Sequence, residues 1–208
     1  MDEISKEYII SVFNRKLMMH GDRSDAVGWS STGQMLRYQA MLDAGEIRNC
    51  KILDFGCGKG DFYGFLMERG IQVEYSGVDI NEKLIRLAHQ KYPAIDFRVF
   101  DIERDALDND FDYIFLCGVF NVKISGIDET IKNALITLFQ HCKKALVFNA
   151  LSSHEPHKDV QLHYCNPEDI FDFAVKTLSP HVSLNQDRIP YDFTLFVHRD
   201  RNRFLDHP

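Results

Sequence analysis

Apolar residues fall at helical spacing through residues 4–19, where Ile9, Ile10, Phe13 and Leu17 share a stripe, so a helix is expected there. Residues 20–33 are rich in Gly, Ser and Asp and read as a loop carrying a lone aromatic, Trp29. A second helix is expected over residues 32–44, with Gly45 as its stop. The pattern then changes to short apolar runs at 51–55, 73–80, 97–100, within 111–120 and at 145–148. Helical patterns separate most of them, at 61–69 (closed by Gly70), 82–92 (stopped by Pro93) and 127–141. Strands alternating with helices at this pitch imply βαβ units and a mostly parallel sheet. The runs lack polar alternation, as strands covered on both faces do.

The end of the chain departs from this rhythm. A helix over 167–178 is followed by two strands, 181–186 and 191–198, joined only by a few residues around Asp187-Arg188-Ile189-Pro190. So short a connection cannot be a parallel crossover, and the pair must be antiparallel. The expected fold is α/β: a doubly wound, mostly parallel seven-stranded sheet of Rossmann-like type, with an antiparallel C-terminal strand and N-terminal cap helices. The 208 residues suit one domain, 1–208, with residues 1–45 as the N-terminal helices and cap and residues 46–208 as the core that binds a ligand.

Composition narrows the partners. The formal net charge of −7, with Lys and Arg scattered, disfavours nucleic acid. No apolar run approaches the roughly 18 residues of a membrane span, so no membrane partner is expected. The first residues, Met1-Asp2-Glu3-Ile4-Ser5-Lys6-Glu7, lack the apolar core of a secretion signal, and a cytoplasmic location is expected. The 5 cysteines are odd in number, widely spaced and without a C-x-x-C, which reads as reduced thiols. Nothing in the pattern specifies an oligomeric state.

The chemistry is concentrated at Gly56-Cys57-Gly58-Lys59-Gly60, between the first strand and its helix. Glycine lets a backbone approach a ligand closely, and the helix that follows offers free N–H groups. A dinucleotide fingerprint would need glycine at position 61, where Asp61 stands instead. An aspartate there suits a pyrophosphate poorly but tolerates a zwitterionic ligand with a cationic sulfur. Asp54, Asp79 and Asp101 each close a strand at the same edge, and Asp79 is placed to accept the hydroxyls of an adenosine ribose. Each aspartate alone also suits an ordinary turn. Three in register with the glycine loop are harder to explain that way.

Four stretches carry a resemblance: residues 51–62 (KILDFGCGKGDF), 75–88 (YSGVDINEKLIRLA), 97–102 (FRVFDI) and 111–121 (FDYIFLCGVFN). In this order and spacing the chain resembles the class I S-adenosylmethionine-dependent methyltransferases of small-molecule type, over roughly residues 35–200. The resemblance implies S-adenosylmethionine as cofactor and S-adenosylhomocysteine as product. It implies that Asp54, Gly56, Cys57, Gly58 and Gly60 form the methionine side of the site, Asp79 and Ile80 the ribose side, Asp101 and Ile102 the adenine side, and that Cys117 lies near the sulfonium. Arg37 matches an arginine that in some members pairs with the cofactor carboxylate; it reads equally as a surface helix charge. The fourth-strand motif, Cys117-Gly118-Val119-Phe120-Asn121, departs from the Asn/Asp-Pro-Pro-Tyr/Phe signature of enzymes that methylate planar nitrogens.

The expected reaction is methyl transfer by direct displacement to a small-molecule acceptor, for which alignment and desolvation matter more than a fixed catalytic side chain. Two segments are candidates to cap the site: the N-terminal region with residues 20–23 and Trp29, and the loop after the fifth strand with His154, His157 and His163. His154 and His157 are the candidate catalytic residues, as acceptor contacts or proton acceptors. No metal site is expected, because their spacing is loose and Pro156 breaks any shared helix face. Trp29, Phe120, Tyr164 and Tyr191 are candidate pocket walls or core residues. Two other functions compete: a catalytically silent methyltransferase-like binding module, which intact glycines and Asp79 disfavour, and a nicotinamide-dependent oxidoreductase, which Asp61 disfavours.

Overall fold

The computed structural model describes residues 1–200; residues 201–208 of the expected domain lie outside them. Two helices, α1 (Glu3–His20) and α2 (Ser31–Met41), precede the sheet. The core then runs β1 (Lys51–Phe55), α3 (Asp61–Glu68), β2 (Glu74–Asp79), α4 (Glu82–Lys91), β3 (Asp96–Val99), β4 (Phe111–Cys117), α5 (Ile127–Gln140), β5 (Cys142–Leu151), α6 (Pro167–Thr177), β6 (His181–Asn185) and β7 (Asp192–His198). The strands form one 7-stranded sheet in the order β3-β2-β1-β4-β5-β7-β6. The first five are parallel, and β7 runs antiparallel to both β5 and β6. This is the expected Rossmann-like sheet. No helix among the described residues is long and apolar enough to cross a membrane.

Local chemistry sets the helix starts. Asp2, Ser30, Asn81 and Asn166 cap α1, α2, α4 and α6 through side-chain oxygens that accept backbone N–H groups, and Pro167 follows its cap in the first turn of α6. The residues the sequence placed in a continuous second helix divide into α2 and a 3-10 turn, Leu42–Ala44, before Gly45. A 3-10 turn, Ser24–Val27, interrupts the expected loop before α2.

Strand residues alternate between two cores because side chains alternate across a strand. Leu53, Ile114, Leu116, Leu146, Phe148 and Leu195 face one core with α5 and α6. Ile52, Tyr113, Phe115, Val147 and Phe196 face the other with α2, α3 and α4. The chain leaves the β3 edge through turns at residues 100–110, without a helix, and re-enters the sheet as β4 beside β1. Strand order therefore reverses between β1 and β4, and a ligand crevice is expected at their carboxyl ends.

Candidate active site

A cavity of about 130 Å³ occupies that crevice. Its floor is the β1–α3 loop from Phe55 to Lys59, where the chain turns on glycines: Gly58 has φ +56°, and a side chain there would meet only Val27 Cγ1, at 3.4 Å. Gly58 thus combines a backbone conformation that favours glycine with open space toward the cavity. Gly60 acts differently. It caps α3 at φ +77°, and a Cβ there would lie 2.8 Å from Phe97 Cζ, so it serves packing and does not line the cavity.

Asp79, at the end of β2, lines the cavity and accepts the N–H groups of Gly58 at 2.9 Å and Asn81 at 2.8 Å. Burial raises its pKa, and those two N–H groups oppose the rise. The acid beyond β2 therefore also braces the glycine loop. Asn81 binds the Ile10 carbonyl at 3.3 Å and Asn14 Oδ1 at 3.2 Å, which ties α1 to the same corner.

After β3, Asp101 and Ile102 line the adjoining wall. Asp101 accepts a 2.7 Å bond from Lys6 Nζ, which also lies 2.8 Å from Glu103 and 3.2 Å from Glu3. Burial works against the Lys6 ammonium, but these carboxylates outweigh it and hold its pKa well above the usual lysine value. In turn Lys6 keeps Asp101 below the usual carboxylate range against its own desolvation. Ile9, Ile10 and Phe13 of α1 line the cavity beside Lys6, so the first helix roofs the crevice.

The fourth wall is Cys117 to Phe120, after β4. Burial pushes the Cys117 thiol far up, so it stays a neutral wall atom. Trp29 and the α2 residues Gln34 and Tyr38 close this end.

Of the residues the sequence singled out, Gly56, Cys57, Gly58, Asp79, Ile80, Asp101, Ile102 and Cys117 meet around the cavity. Asp54, Gly60 and Arg37 are absent from its lining. Asp54 is buried beneath the loop and accepts the Tyr75 hydroxyl; burial raises its pKa to about 7, against that hydrogen bond. Arg37 is engaged by Asp192, through Nε at 2.9 Å and Nη2 at 2.7 Å, in place of the ligand contact the resemblance implied. Asp61 is held by Lys59 and Lys91 and by Gln34 Nε2 at 3.0 Å.

His154 and His157 also stand away from the cavity lining. Nε2 of His154 lies 3.2 Å from Glu168 on α6, and His157 is exposed. The loop leaves from the predicted edge, but His154 reaches α6 and His163 reaches α5, and neither enters the crevice. His163 is the half-buried member of the group, with Nε2 3.2 Å from Asp128 Oδ1. Among the described residues no cluster of His, Cys, Asp and Glu could hold a metal ion. Sequence reasoning missed Lys6 and Asn81. Asn81 was visible as an N-cap signal before α4, whereas a single lysine in the first helix carries no mark of burial.

Comparison with known proteins agrees with this geometry. The methyltransferase domain family matches residues 52–144. A Mycobacterium tuberculosis protein that carries the name of a methyltransferase, Rv1506c, is 29% identical over 154 residues, spanning 71% of this chain and 92% of its own. Magnesium protoporphyrin IX methyltransferase from Synechocystis PCC 6803, solved with bound S-adenosylmethionine, superposes with a TM-score of 0.68 at 19% identity, covering 96% of this chain and 98% of that one. The DhpI–S-adenosylhomocysteine complex superposes with a TM-score of 0.68 at 14% identity, covering 92% and 95%; at such identities the two structures share the fold. With a domain match over the glycine loop and β1 to β4, a relative aligned along nearly its whole length, and a fold shared with methyltransferases solved with S-adenosylmethionine or S-adenosylhomocysteine, the chain is similar in sequence and fold to the S-adenosylmethionine-dependent methyltransferases.

Proposed function

We propose that this chain, as one domain over residues 1–208 capped by residues 1–45, transfers a methyl group from S-adenosylmethionine to a small-molecule acceptor by direct displacement. The observation that carries the reading is a crevice walled by the ends of four successive parallel strands and roofed by α1, a shape that admits a small acceptor more readily than a polymer. The lining fits the cofactor: the open side of Gly58 leaves room against the loop, Asp79 offers a buried carboxylate for hydroxyl donors, and Asp101 offers an acceptor beside the Ile102 backbone.

In this reading Gly56, Cys57 and Gly58 hold the methionine portion, Asp79 and Ile80 the ribose, Asp101 and Ile102 the adenine, and Cys117 borders the sulfur. Bound there, S-adenosylmethionine supplies a methyl carbon that an acceptor lone pair attacks as the carbon–sulfur bond breaks, with the bonding electrons remaining on sulfur. The chain contributes alignment and dryness: Ile9, Ile10 and Phe13 exclude water from above, and Phe120 does so from the side. Lys6 orients Asp101. Among the described residues no histidine lines the cavity.

S-adenosylhomocysteine at about 100 times its dissociation constant should add roughly 2.7 kcal/mol of stability. For a chain of this size that raises the melting temperature by roughly 5–11 °C. A thermal-shift series with S-adenosylhomocysteine and NAD tests it; a shift with NAD alone would overturn the reading. Release of S-adenosylhomocysteine across a metabolite panel then separates an enzyme from a silent module.

A further inference from the structure

The chain has 1 tryptophan, and three separate elements are built around it. Trp29 sits between the 3-10 turn Ser24–Val27 and the N-cap of α2, with its backbone N–H donating to the Ser24 carbonyl at 3.2 Å. The Arg37 guanidinium lies over its ring, 4.8 Å from the centroid. Tyr38 meets it edge-on at 6.3 Å. Gly118, after β4, makes room for it: a Cβ there would stand 2.3 Å from Trp29 Cζ2.

Arg37 is itself fixed. Asp192 of β7 binds it, and Asn149 of β5 donates to the other Asp192 oxygen at 2.5 Å. Cys117, Asn149 and Thr194 are register neighbours across β4, β5 and β7, so the methyl-side wall of the cavity and the brace behind Trp29 belong to one row. A guanidinium covers one face of the indole, Gly118 leaves room beside its Cζ2, Tyr38 crosses it at a steep angle, and Trp29 still lines the cavity. A flat guest stacked on this indole from the cavity would use the face opposite Arg37.

We propose that Trp29, held by the Arg37–Asp192 pair, is the specificity-determining platform for the methyl acceptor, and that the acceptor is a flat aromatic or conjugated molecule, neutral or anionic, stacked on its free face. This rests on the methyltransferase reading above. The charge preference follows from the stack: a cation already occupies one face, so a second cation on the other meets an indole whose π electrons are drawn away and a like charge beyond it. The same argument assigns the free face to the acceptor over the cationic sulfonium.

The experiment uses the full chain saturated with S-adenosylhomocysteine and two alcohols as probes, 2-naphthol and its saturated counterpart 2-decalol, with binding read by calorimetry. The intact protein should bind 2-naphthol well ahead of 2-decalol. Trp29→Leu should weaken 2-naphthol roughly tenfold, and Trp29→Phe, which keeps a π face, should recover most of that. S-adenosylhomocysteine affinity, measured first on each variant, should stay within about twofold, which also reports folding. Equal binding of the two alcohols, no binding of 2-naphthol, or loss of 2-naphthol and S-adenosylhomocysteine together in Trp29→Leu would each overturn the proposal, the last by giving the platform to the cofactor. Failure of the intact protein to bind S-adenosylhomocysteine would overturn the underlying methyltransferase reading instead.

Discussion

The two halves of the crevice solve the same problem in opposite ways. On the β1–β3 side the loops themselves form the wall: the backbone of Gly56 to Gly58, the carboxylate of Asp79 and the Asp101–Ile102 turn face the cavity directly. On the β4–β7 side only the Cys117–Phe120 loop does so, and the polar groups of β5 and β7 sit one layer back, where Asn149 and Asp192 hold Arg37 behind Trp29. The first half presents fixed chemistry for a group every reaction cycle repeats. The second presents an apolar surface supported by a buried ion pair, so its shape depends on packing between elements distant in sequence. The edge of a parallel sheet tells where a ligand goes, but only packing decides which loop turns toward it.

The largest effect should come from breaking the support in the second half. Asp192 is buried and Arg37 mostly so, and Asp192→Ala strands a cation; loss of one partner of a buried pair costs about 3–5 kcal/mol. The melting temperature should fall by roughly 6–20 °C. Scanning calorimetry checks this, and a drop below about 2 °C would mean that the pair braces nothing.

The first half should respond in binding. Asp79→Ala removes a carboxylate that accepts two backbone N–H groups and faces the cavity, so S-adenosylhomocysteine should bind less tightly by about 1.5–3 kcal/mol, or roughly 10- to 150-fold. Unchanged affinity by titration calorimetry would move the ribose site elsewhere.

A pH experiment sharpens the same half. Burial raises Asp54 from 3.8 to about 7 in the fold. The folded state then holds a proton that the unfolded chain releases, so this contribution to stability is fully present below pH 4 and is lost as pH rises toward 7. Asp54→Asn, neutral throughout, should therefore gain stability relative to the native chain between pH 4 and pH 7. Parallel melting curves across that window would sink the assignment.

The smallest effect belongs to the loop that turns away. Replacing His154 and His157 together by Ala should change stability by less than about 0.5 kcal/mol, because neither is buried. S-adenosylhomocysteine affinity and turnover should also hold. A marked rise in the acceptor's Michaelis constant would show that this loop closes over the site after all.

The chain's hydrophobic rhythm determined the order of elements, the parallel core and the antiparallel finish. Those follow from side-chain periodicity and loop length, which are local. The glycine loop and the acids Asp79 and Asp101 were legible for a similar reason: each sits at a strand end, and strand ends of a parallel sheet converge. The apolar run at 145–148 understated β5, which spans Cys142–Leu151, because ladder pairing continues past the apolar residues to Asp192 and His141 neighbours.

What only the tertiary structure decided is which charges are paired and which way side chains face. Lys6 meets Asp101 across 95 positions, and Arg37 meets Asp192 across 155. No spacing rule links such residues; desolvation in the packed fold forces each cation to a carboxylate. The same packing turned Arg37 and the 150s histidines away from the crevice and brought α1 over it. Sequence periodicity fixes a side chain's face on its own element, whereas its neighbour is set by how elements stack, and stacking is a property of the whole core.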